Sequence, residues 1–245
     1  MKKIIVLIIV GVIFLWGCGA KKEIKTNFTV AIDSGGVSPS NYKDKNTGEV
    51  LGFEADLMRE IARRGDFRIA FVEQSFSLII KGVEEGRTDM GVGFISIIDE
   101  RKKVLKFSEP YMEVLIVLLS NKKNKIKDSK NKIYGIAKGT YFKSLIEDKK
   151  NIEIIEDIDT KKVIEKLVSK EIDYAITSKE LGDVYRAKYR EIYEESVLQK
   201  DLIGIAFYKN IPTDFINKVG NIILKMKSDG SLDNLKEKYG VYKEN

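Results

Sequence analysis

Apolar and polar positions follow two different periods along the chain, which predicts that strands and helices take turns. The segment NFTVAI at 27–32 has the pattern of a strand. GFEADLMREIARRG then places Phe53, Leu57 and Ile61 four residues apart, as on one face of a helix that ends at Gly65. The unbroken apolar run VLIVLLS at 114–120 is typical of a strand that is buried on both faces.

The same alternation continues to the end of the chain. Further predicted strands are FRIAFVEQ, TDMGVGFIS, IYGIAKG, NIEIIED, DYAITS and DLIGIAFYK. Further predicted helices are SFSLIIKGVEEG, TYFKSLIED with Thr140 as its cap, DTKKVIEKLVSKEI, a Tyr-rich stretch at 180–193, PTDFINKVGNIILKMKSDG and SLDNLKEKYG. Alternating strands and helices predict an α/β protein with mostly parallel sheets.

Polar segments follow several of the predicted strands and indicate where a ligand would bind. They comprise residues 33–36, 96–101, 138–141 and 177–178. In open α/β sheets, ligands bind beyond the carboxyl ends of the strands. Two of these segments fall in each half of the chain, so the sequence predicts a site between two lobes, a common position for small-molecule pockets.

The first residues predict export. Lys2 and Lys3 precede an apolar run from 4 to 16, which is too short for a membrane-spanning helix and is typical of a signal peptide. The following LWGC resembles the lipobox of bacterial lipoproteins, in which the cysteine becomes the lipidated first residue. We therefore expect a signal peptide at 1–17, lipidation at Cys18 and a tether at 18–26. Bulky Trp16 departs from the usual lipobox, and an ordinary signal peptide with an incidental cysteine is the alternative.

Composition excludes several kinds of chemistry. The chain has no histidine and one cysteine, so His or Cys metal sites, Ser-His triads and cysteine nucleophiles are excluded, and we expect no metal and no cofactor. After removal of the signal peptide, 41 Lys and Arg face 37 Asp and Glu, a net charge of +4. Because the lysines are interspersed with acids, we expect no nucleic-acid partner.

Five segments together resemble the extracellular solute-binding proteins of the polar-amino-acid uptake family, the receptors that feed bacterial ABC importers. They are YKDKNTGEVLGFEADLMREIA, GRTDMGVGFISIIDERKKVLKFSEPY, AKGT, SKEIDYAI and MKSDGSLDNLKEKYG, in the order and at the spacing of that family. The resemblance implies a type II periplasmic-binding-protein fold, with two α/β lobes joined by two hinge strands. Lobe 1 is then expected at 27–111 and 204–245, and lobe 2 at 112–203.

The resemblance also implies ligand-binding residues. The family arginine that holds the ligand's α-carboxylate corresponds to Arg101, and a planar guanidinium suits a carboxylate because it offers two parallel donors. The alternative is a surface arginine within ERKK. Ser96 would add a donor to the same carboxylate. Phe76 would cover apolar parts of the ligand, or else belong to the core.

In lobe 2, Thr140 falls where the family places donors at a helix N-terminus, and with neighbouring Tyr141 it would complete the cage. Ser178 is counted in the site, although amino-acid binders carry an acid there for the ligand's α-amino group. A buried cation without a carboxylate is poorly compensated. Asp33, also expected in the site, or Asp183 could supply the missing charge.

The function implied is a lipid-anchored, monomeric substrate-binding protein, facing the periplasm or cell exterior. It would capture a small carboxylate-bearing solute, such as an amino acid, and deliver it to ABC permease subunits. We expect no enzymatic activity. Two alternatives stay open: an exported enzyme on the same fold, resembling cyclic-carboxylate dehydratases, and a lipoprotein that passes its ligand to a separate sensor.

Overall fold

A computed structural model describes residues 26–34, 41–121 and 132–241 of the 245-residue chain. It contains two five-stranded sheets with helices packed against them, and a small two-stranded sheet. This is the two-lobe α/β architecture that the sequence predicts.

The first part of the chain builds most of one lobe. Its elements are β1 (Asn27–Ile32), β2 (Tyr42–Lys43), β3 (Val50–Leu51), α1 (Phe53–Gly65), β4 (Arg68–Glu73), α2 (Phe76–Glu84), β5 (Met90–Val92), α3 (Asp99–Lys102) and β6 (Leu105–Phe107). Helix α1 ends at the predicted residue, Gly65, and begins one residue after the start of the predicted segment. Its residues Phe53, Leu57 and Ile61 are fully buried, as their spacing of four residues requires.

The second lobe follows, and the chain then returns to the first. The second lobe contains β7 (Met112–Ser120), β8 (Lys132–Ala137), a 3₁₀ turn (Phe142–Leu145), β9 (Ile152–Asp157), α4 (Thr160–Val168), β10 (Tyr174–Ser178), α5 (Lys179–Lys188) and β11 (Tyr193–Ile203). The returning segment contains β12 (Ala206–Tyr208), α6 (Thr213–Ser228) and α7 (Ser231–Tyr239).

The strand order explains how the lobes are assembled. The first sheet has the order β4-β1-β5-β12-β6, so β12 returns from the far end of the chain to pair with β5 and β6. The second sheet has the order β11-β7-β10-β8-β9. The first lobe is therefore discontinuous in sequence, and helices α6 and α7 pack against α1.

The two passages between the lobes lie side by side. The N–H of Tyr111 donates to the carbonyl of Ile203 at 2.9 Å, and Met112 pairs with Ile203 in the β7–β11 register. The N–H of Gly204 donates to the carbonyl of Ile95 at 3.2 Å. The second passage is thus attached to the segment that follows β5, and the first passage is attached to the second.

Three sequence predictions about the sheets need correction. The sheets are mixed rather than mostly parallel, because β12 runs antiparallel to β5 and β6, and β7 runs antiparallel to β10 and β11. The predicted strand DLIGIAFYK is divided between β11 and β12 at residues 204–205, where the chain enters the first lobe. Strand β11 also begins earlier than predicted, at Tyr193, and pairs along the whole of β7.

Within the described residues, no helix has the length and apolar character needed to cross a membrane. The predicted signal peptide, Cys18 and most of the tether lie outside these residues.

Replacing Leu57 with Ala should lower the free energy of unfolding by roughly 2–5 kcal/mol, because the side chain is fully buried and its removal leaves a cavity. Urea unfolding followed by circular dichroism would measure the change. The matched control is Leu224→Ala on α6, whose side chain is 47% exposed and whose loss should cost less than about 0.5 kcal/mol. Equal losses in the two variants would contradict the packing of α1 described above.

Candidate functional site

A cavity of about 150 Å³ lies between the two lobes. All seven side chains that the sequence analysis placed in a ligand site line it: Asp33, Phe76, Ser96, Arg101, Thr140, Tyr141 and Ser178. The first four come from the first lobe and the last three from the second. Residues from distant parts of the chain are brought together because the strands of both sheets end at this cleft.

Arg101 is buried at the wall of the cavity and is only 7% exposed. It belongs to the short helix α3, and its Nη1 donates to the carbonyl of Ser96 at 3.0 Å. Its Nη2 donates across the cleft to the carbonyl of Gly139 at 3.3 Å, a long hydrogen bond. The guanidinium carbon lies 5.8 Å from the centre of the Phe76 ring. The alternative of a solvated surface arginine is therefore wrong.

The charge of Arg101 has no acidic partner at ion-pair distance among the described residues. Both of its protein acceptors are neutral backbone carbonyls. Burial lowers the pKa of Arg101 to about 10, while Tyr141 and Asp201 act in the opposite direction. A buried cation without an anion is costly. The arrangement is therefore suited to an anionic group that enters the cavity.

Phe76 is the first residue of α2. The sequence left open whether its ring lines the ligand site or belongs to the core, and in the structure it does both. It lines the cavity and also packs against the buried cluster around Ile79 and Ile95. Its ring thus forms an apolar wall beside the guanidinium, supported from behind by the core.

Tyr141 is held within the second lobe by side chains of strand β11. Its hydroxyl donates to Asp201 at 2.6 Å, and Gln199 donates to the Tyr141 hydroxyl at 3.2 Å and to Asp201 at 2.8 Å. Burial and the hydrogen bond to Asp201 raise the pKa of Tyr141, so the phenol stays protonated. Asp201 and Gln199 are participants that the sequence analysis missed, because neither belongs to a recognisable motif.

The structure corrects the expectation for Thr140. No helix begins there: a four-residue 3₁₀ turn follows, and it has no side-chain cap. The Thr140 hydroxyl donates to the carbonyl of Ala137 at 2.6 Å, and its N–H donates to the same carbonyl at 3.2 Å. Both donors therefore close a local turn instead of forming a helix-terminal anion site. Thr140 lines the cavity but has no free donor in this conformation.

Ser178 ends β10 and caps α5, accepting from the N–H of Leu181 at 3.4 Å. Amino-acid binders carry an acid at the position of Ser178, and Asp33 and Asp183 were the two candidates to supply that charge here. Asp33 lines the cavity, whereas Asp183 does not. Asp183 is engaged by Lys179 at 3.3 Å and by Arg186 at 2.9 Å. Two neighbouring cations thus compensate the Asp183 carboxylate.

Glu54 supports the first-lobe wall, and the sequence analysis did not identify it. This fully buried carboxylate accepts from the N–H groups of Gly93 at 3.0 Å and Phe94 at 2.8 Å, from the Tyr111 hydroxyl, and from the Asn41 amide at 2.8 Å. Burial raises the pKa of Glu54, and the four donors partly oppose that rise. The only feature of the sequence that could have pointed to Glu54 is that it is an acid in the first turn of a helix whose buried face is otherwise apolar.

The Glu54 contacts determine the shape of the cavity wall. Asn41, Gly93 and Phe94 all line the cavity. Phe94 has a φ of 53°, in the left-handed region that few residues other than glycine adopt. The two hydrogen bonds to Glu54 at this point hold the chain where it turns from β5 toward Ser96 and Arg101.

The far wall of the cavity is also built by residues that the sequence analysis missed. Asp159, Thr160 and Lys161 line it at the start of α4, where the Asp159 side chain caps the helix by accepting from the N–H of Lys162 at 2.8 Å. An Asp directly before the apolar-periodic stretch is a recognisable N-cap, so this position could have been found. Tyr185 closes the wall from α5.

The lobes touch beside Arg101. Gly139 has a φ of +86°, and a Cβ built on it would lie 2.7 Å from the Cα of Ser77 in α2. The backbones of the two lobes therefore approach as closely as a glycine permits. The described conformation is closed at this point.

Among the described residues, no group of three or more His, Cys, Asp or Glu side chains is placed to hold a metal ion. The cavity instead combines a buried cation, an apolar wall and several hydroxyl and carbonyl groups.

A two-lobe fold with a ligand site in the cleft is the architecture of solute-binding proteins. Comparison of the sequence with known protein families gives the same result. The chain matches the bacterial extracellular solute-binding proteins, family 3, over residues 28–242, and belongs to that family. Its members are extracellular or periplasmic binding proteins.

Three known proteins illustrate the relationship. A probable histidine-binding protein of Campylobacter jejuni is 28% identical, and the alignment covers 98% of this chain and 99% of that protein. The ancestral amino acid-binding protein AncCDT-1, a precursor of cyclohexadienyl dehydratase, is similar in structure with a TM-score of 0.77 and 27% identity, over 87% of this chain and 95% of that one. An amino acid ABC transporter substrate-binding protein of Streptococcus pneumoniae, bound to L-arginine, has a TM-score of 0.78 at 23% identity, over 89% and 97% of the two chains.

The Glu54–Asn41 contact can be tested by exchanging its donor and acceptor. Glu54→Gln should cost about 1–3 kcal/mol of folding stability, because the new amide faces the Asn41 amide and one buried donor loses its acceptor. Asn41→Asp should also destabilise, because two carboxylates then face each other. The double variant restores a donor–acceptor pair, and the carboxylate introduced by Asn41→Asp would still accept from the N–H of Ala55, as Asn41 does at 3.1 Å.

Wild type, the two single variants and the double variant form a double-mutant cycle, which urea unfolding at neutral pH would measure. We expect a favourable coupling free energy of at least about 1 kcal/mol between the two substitutions. Strictly additive losses would show that the two side chains act independently and would contradict the role given to Glu54.

Proposed function

We propose that this protein is the substrate-binding component of an ABC importer and that it binds a single amino acid. The observation that carries the proposal is Arg101: a guanidinium that is only 7% exposed, faces the cavity and has only neutral carbonyl partners among the described residues. A carboxylate would supply the missing negative charge through two parallel charge-assisted hydrogen bonds.

The size of the cavity suits one small solute. An engineered protein cavity of about 150 Å³ accommodates benzene, so a site of this volume suits a ligand on the order of six to twelve heavy atoms. A single amino acid fits this range and an oligopeptide does not. Phe76 on one side and Leu181 and Tyr185 on the other offer apolar surface to its side chain.

The names of the relatives agree with an amino acid as the ligand. They include histidine-, arginine- and glutamine-binding proteins, which share the α-amino acid group and differ in side chain. The shared part of these ligands would occupy the Arg101 end of the cavity. The variable part would face the wall at Asp159, Thr160 and Lys161.

The proposed mechanism uses closure of the cleft. In an open form the solute docks its carboxylate on Arg101 in the first lobe, and the second lobe then closes over it. The Arg101–Gly139 hydrogen bond and the Gly139–Ser77 approach link the lobes directly in the closed form. A permease that recognises the closed outer surface would distinguish loaded from empty protein, because the ligand stabilises the closed state.

Several features complete the proposal. We infer lobe boundaries of 27–111 with 204–245, and 112–203, and we expect a monomer. A signal peptide at 1–17 and lipidation of Cys18 would hold the protein at the outer surface of a membrane. Incorporation of a labelled fatty acid that depends on Cys18 would test the anchor. We expect binding without turnover of the ligand, which distinguishes this function from that of an enzyme on the same fold.

A thermal-shift screen of residues 19–245 tests the function. The twenty L-amino acids, dicarboxylates, keto acids and short peptides would each be added at millimolar concentration. A ligand present at a hundred times its Kd should stabilise the protein by about 2.7 kcal/mol. Stabilisation by peptides but by no amino acid would reject the proposal, as would chemical conversion of a stabilising ligand.

Arg101→Ala should weaken binding of the amino acid found in this screen at least about a hundredfold. Two charge-assisted hydrogen bonds worth about 1.5–3 kcal/mol each would be lost. Isothermal titration calorimetry would measure the affinity. The control is Arg68→Ala, an exposed arginine of the same lobe, which should bind as wild type does. Unchanged affinity in Arg101→Ala would remove Arg101 from the site.

Gly139→Ala should oppose closure, since its Cβ would meet the Ser77 backbone at 2.7 Å and cannot be relieved by a rotamer change. We expect a loss of affinity of at least about tenfold and a larger radius of gyration at ligand saturation, measured by calorimetry and X-ray scattering. Gly230→Ala is the matched control, because its φ of +75° carries a similar backbone cost but nothing lies within 4 Å. An equal loss of affinity in the control would contradict an interlobe role for Gly139.

A further inference from the structure

A second buried charge lies in the opposite lobe from Arg101. Glu180, in the first turn of α5, is 8% exposed, and its Oε2 is fully buried with no hydrogen-bond partner among the described residues. Burial of a carboxylate oxygen without a donor is costly. A group of this kind, close to a ligand cavity, calls for a functional explanation.

Glu180 does not itself line the cavity but lies in the part of the chain that forms the wall at α5. Thr177, Ser178 and Leu181, the residues around it in sequence, all line the cavity. The backbone N–H of Glu180 itself and the Ser178 hydroxyl act on its carboxylate as hydrogen-bond donors and lower its pKa. Ser178 occupies the position at which amino-acid binders carry an acid. Glu180, two residues further along the chain, is the acid nearest to that position in the sequence.

The cations near Glu180 are already engaged by other acids. Lys179 donates to Glu194 at 2.8 Å and pairs with Asp183 at 3.3 Å, and Arg186 pairs with the same two acids. No ion pair joins Glu180 to a basic residue of the described chain. Burial is the main cause that raises the pKa of Glu180, and the charge of Asp183 adds to it. An incoming cation would relieve both effects.

We propose that Glu180 is the acceptor for the α-ammonium group of the bound amino acid, its Oε2 turning past the Ser178 hydroxyl to reach the cavity. This inference rests on the proposed function and extends it. Arg101 in the first lobe is a buried cation without an acid, and Glu180 in the second is a buried acid without a base, among the residues that the structure describes. A zwitterion placed between the lobes satisfies both at once. Closure is thereby coupled to the presence of both charged groups on one ligand.

The test compares amino acids with analogues that lack only the α-amino group. The probes are L-glutamine with glutaramic acid, L-histidine with 3-(imidazol-4-yl)propanoic acid, and L-arginine with 5-guanidinopentanoic acid, titrated into the purified full chain. We expect wild type to prefer the amino acid of at least one pair by tenfold or more. Glu180→Gln should reduce that preference to less than about twofold through weaker binding of the amino acid alone.

Further variants separate a ligand contact from a structural role. Introducing Ser178→Asp into Glu180→Gln should restore at least part of the preference, since it supplies an acid two residues away. Glu147→Gln, an exposed glutamate of the same lobe, should retain the full preference. These outcomes together would support the assignment.

Other outcomes overturn it. If Glu180→Gln weakened both members of a pair equally, Glu180 would act on the fold and not on the ammonium group. If Asp33→Asn abolished the preference while Glu180→Gln kept it, the acceptor would be Asp33. If wild type bound both members of a pair equally, the protein would be a carboxylate receptor, and only this inference would fail. If wild type bound none of the amino acids, the proposed function would fail for these ligands and the inference with it.

Discussion

The buried carboxylate of Glu54 is the contact on which the ligand-binding wall depends. Four donors from three parts of the chain meet at it: the Asn41 amide, the N–H groups after β5, and the Tyr111 hydroxyl at the first passage between lobes. A carboxylate has enough lone pairs to accept all four, whereas no uncharged side chain does. Helix α1, the turn that leads to Arg101 and the entry to β7 are therefore positioned by one group.

A second constraint is electrostatic. Burial of a charge is tolerated when a partner compensates it, and Asp183 follows that rule with Lys179 and Arg186. Arg101 and Glu180 have no such partner within the described parts of the chain, and they lie in opposite lobes at or beside the same cavity. Of these two groups, the cation lies in the first lobe and the acid in the second. This arrangement suits a ligand that carries both charges on neighbouring atoms.

The contact between the lobes is small and specific. Arg101 reaches the carbonyl of Gly139, and Gly139 meets the backbone of Ser77. The groups that would bind the ligand therefore overlap with the groups that join the lobes. Ligand capture and closure can be coupled because the same few residues take part in both.

The sequence by itself determined the elements and the general position of the site. Periodicity identified α1 to within one residue and β7 as a buried strand, and the family motifs led to Arg101. Local apolar patterns and short motifs can be recognised in this way because they are encoded in short stretches of the chain. The tertiary structure alone decided the rest. Thr140 closes a turn with Ala137 instead of capping a helix, β11 extends to Tyr193 because β7 offers it a partner, and Glu54 gathers donors that are up to 57 residues away. Such features depend on which distant groups meet, and a polar residue's role is settled by the partners that burial brings to it.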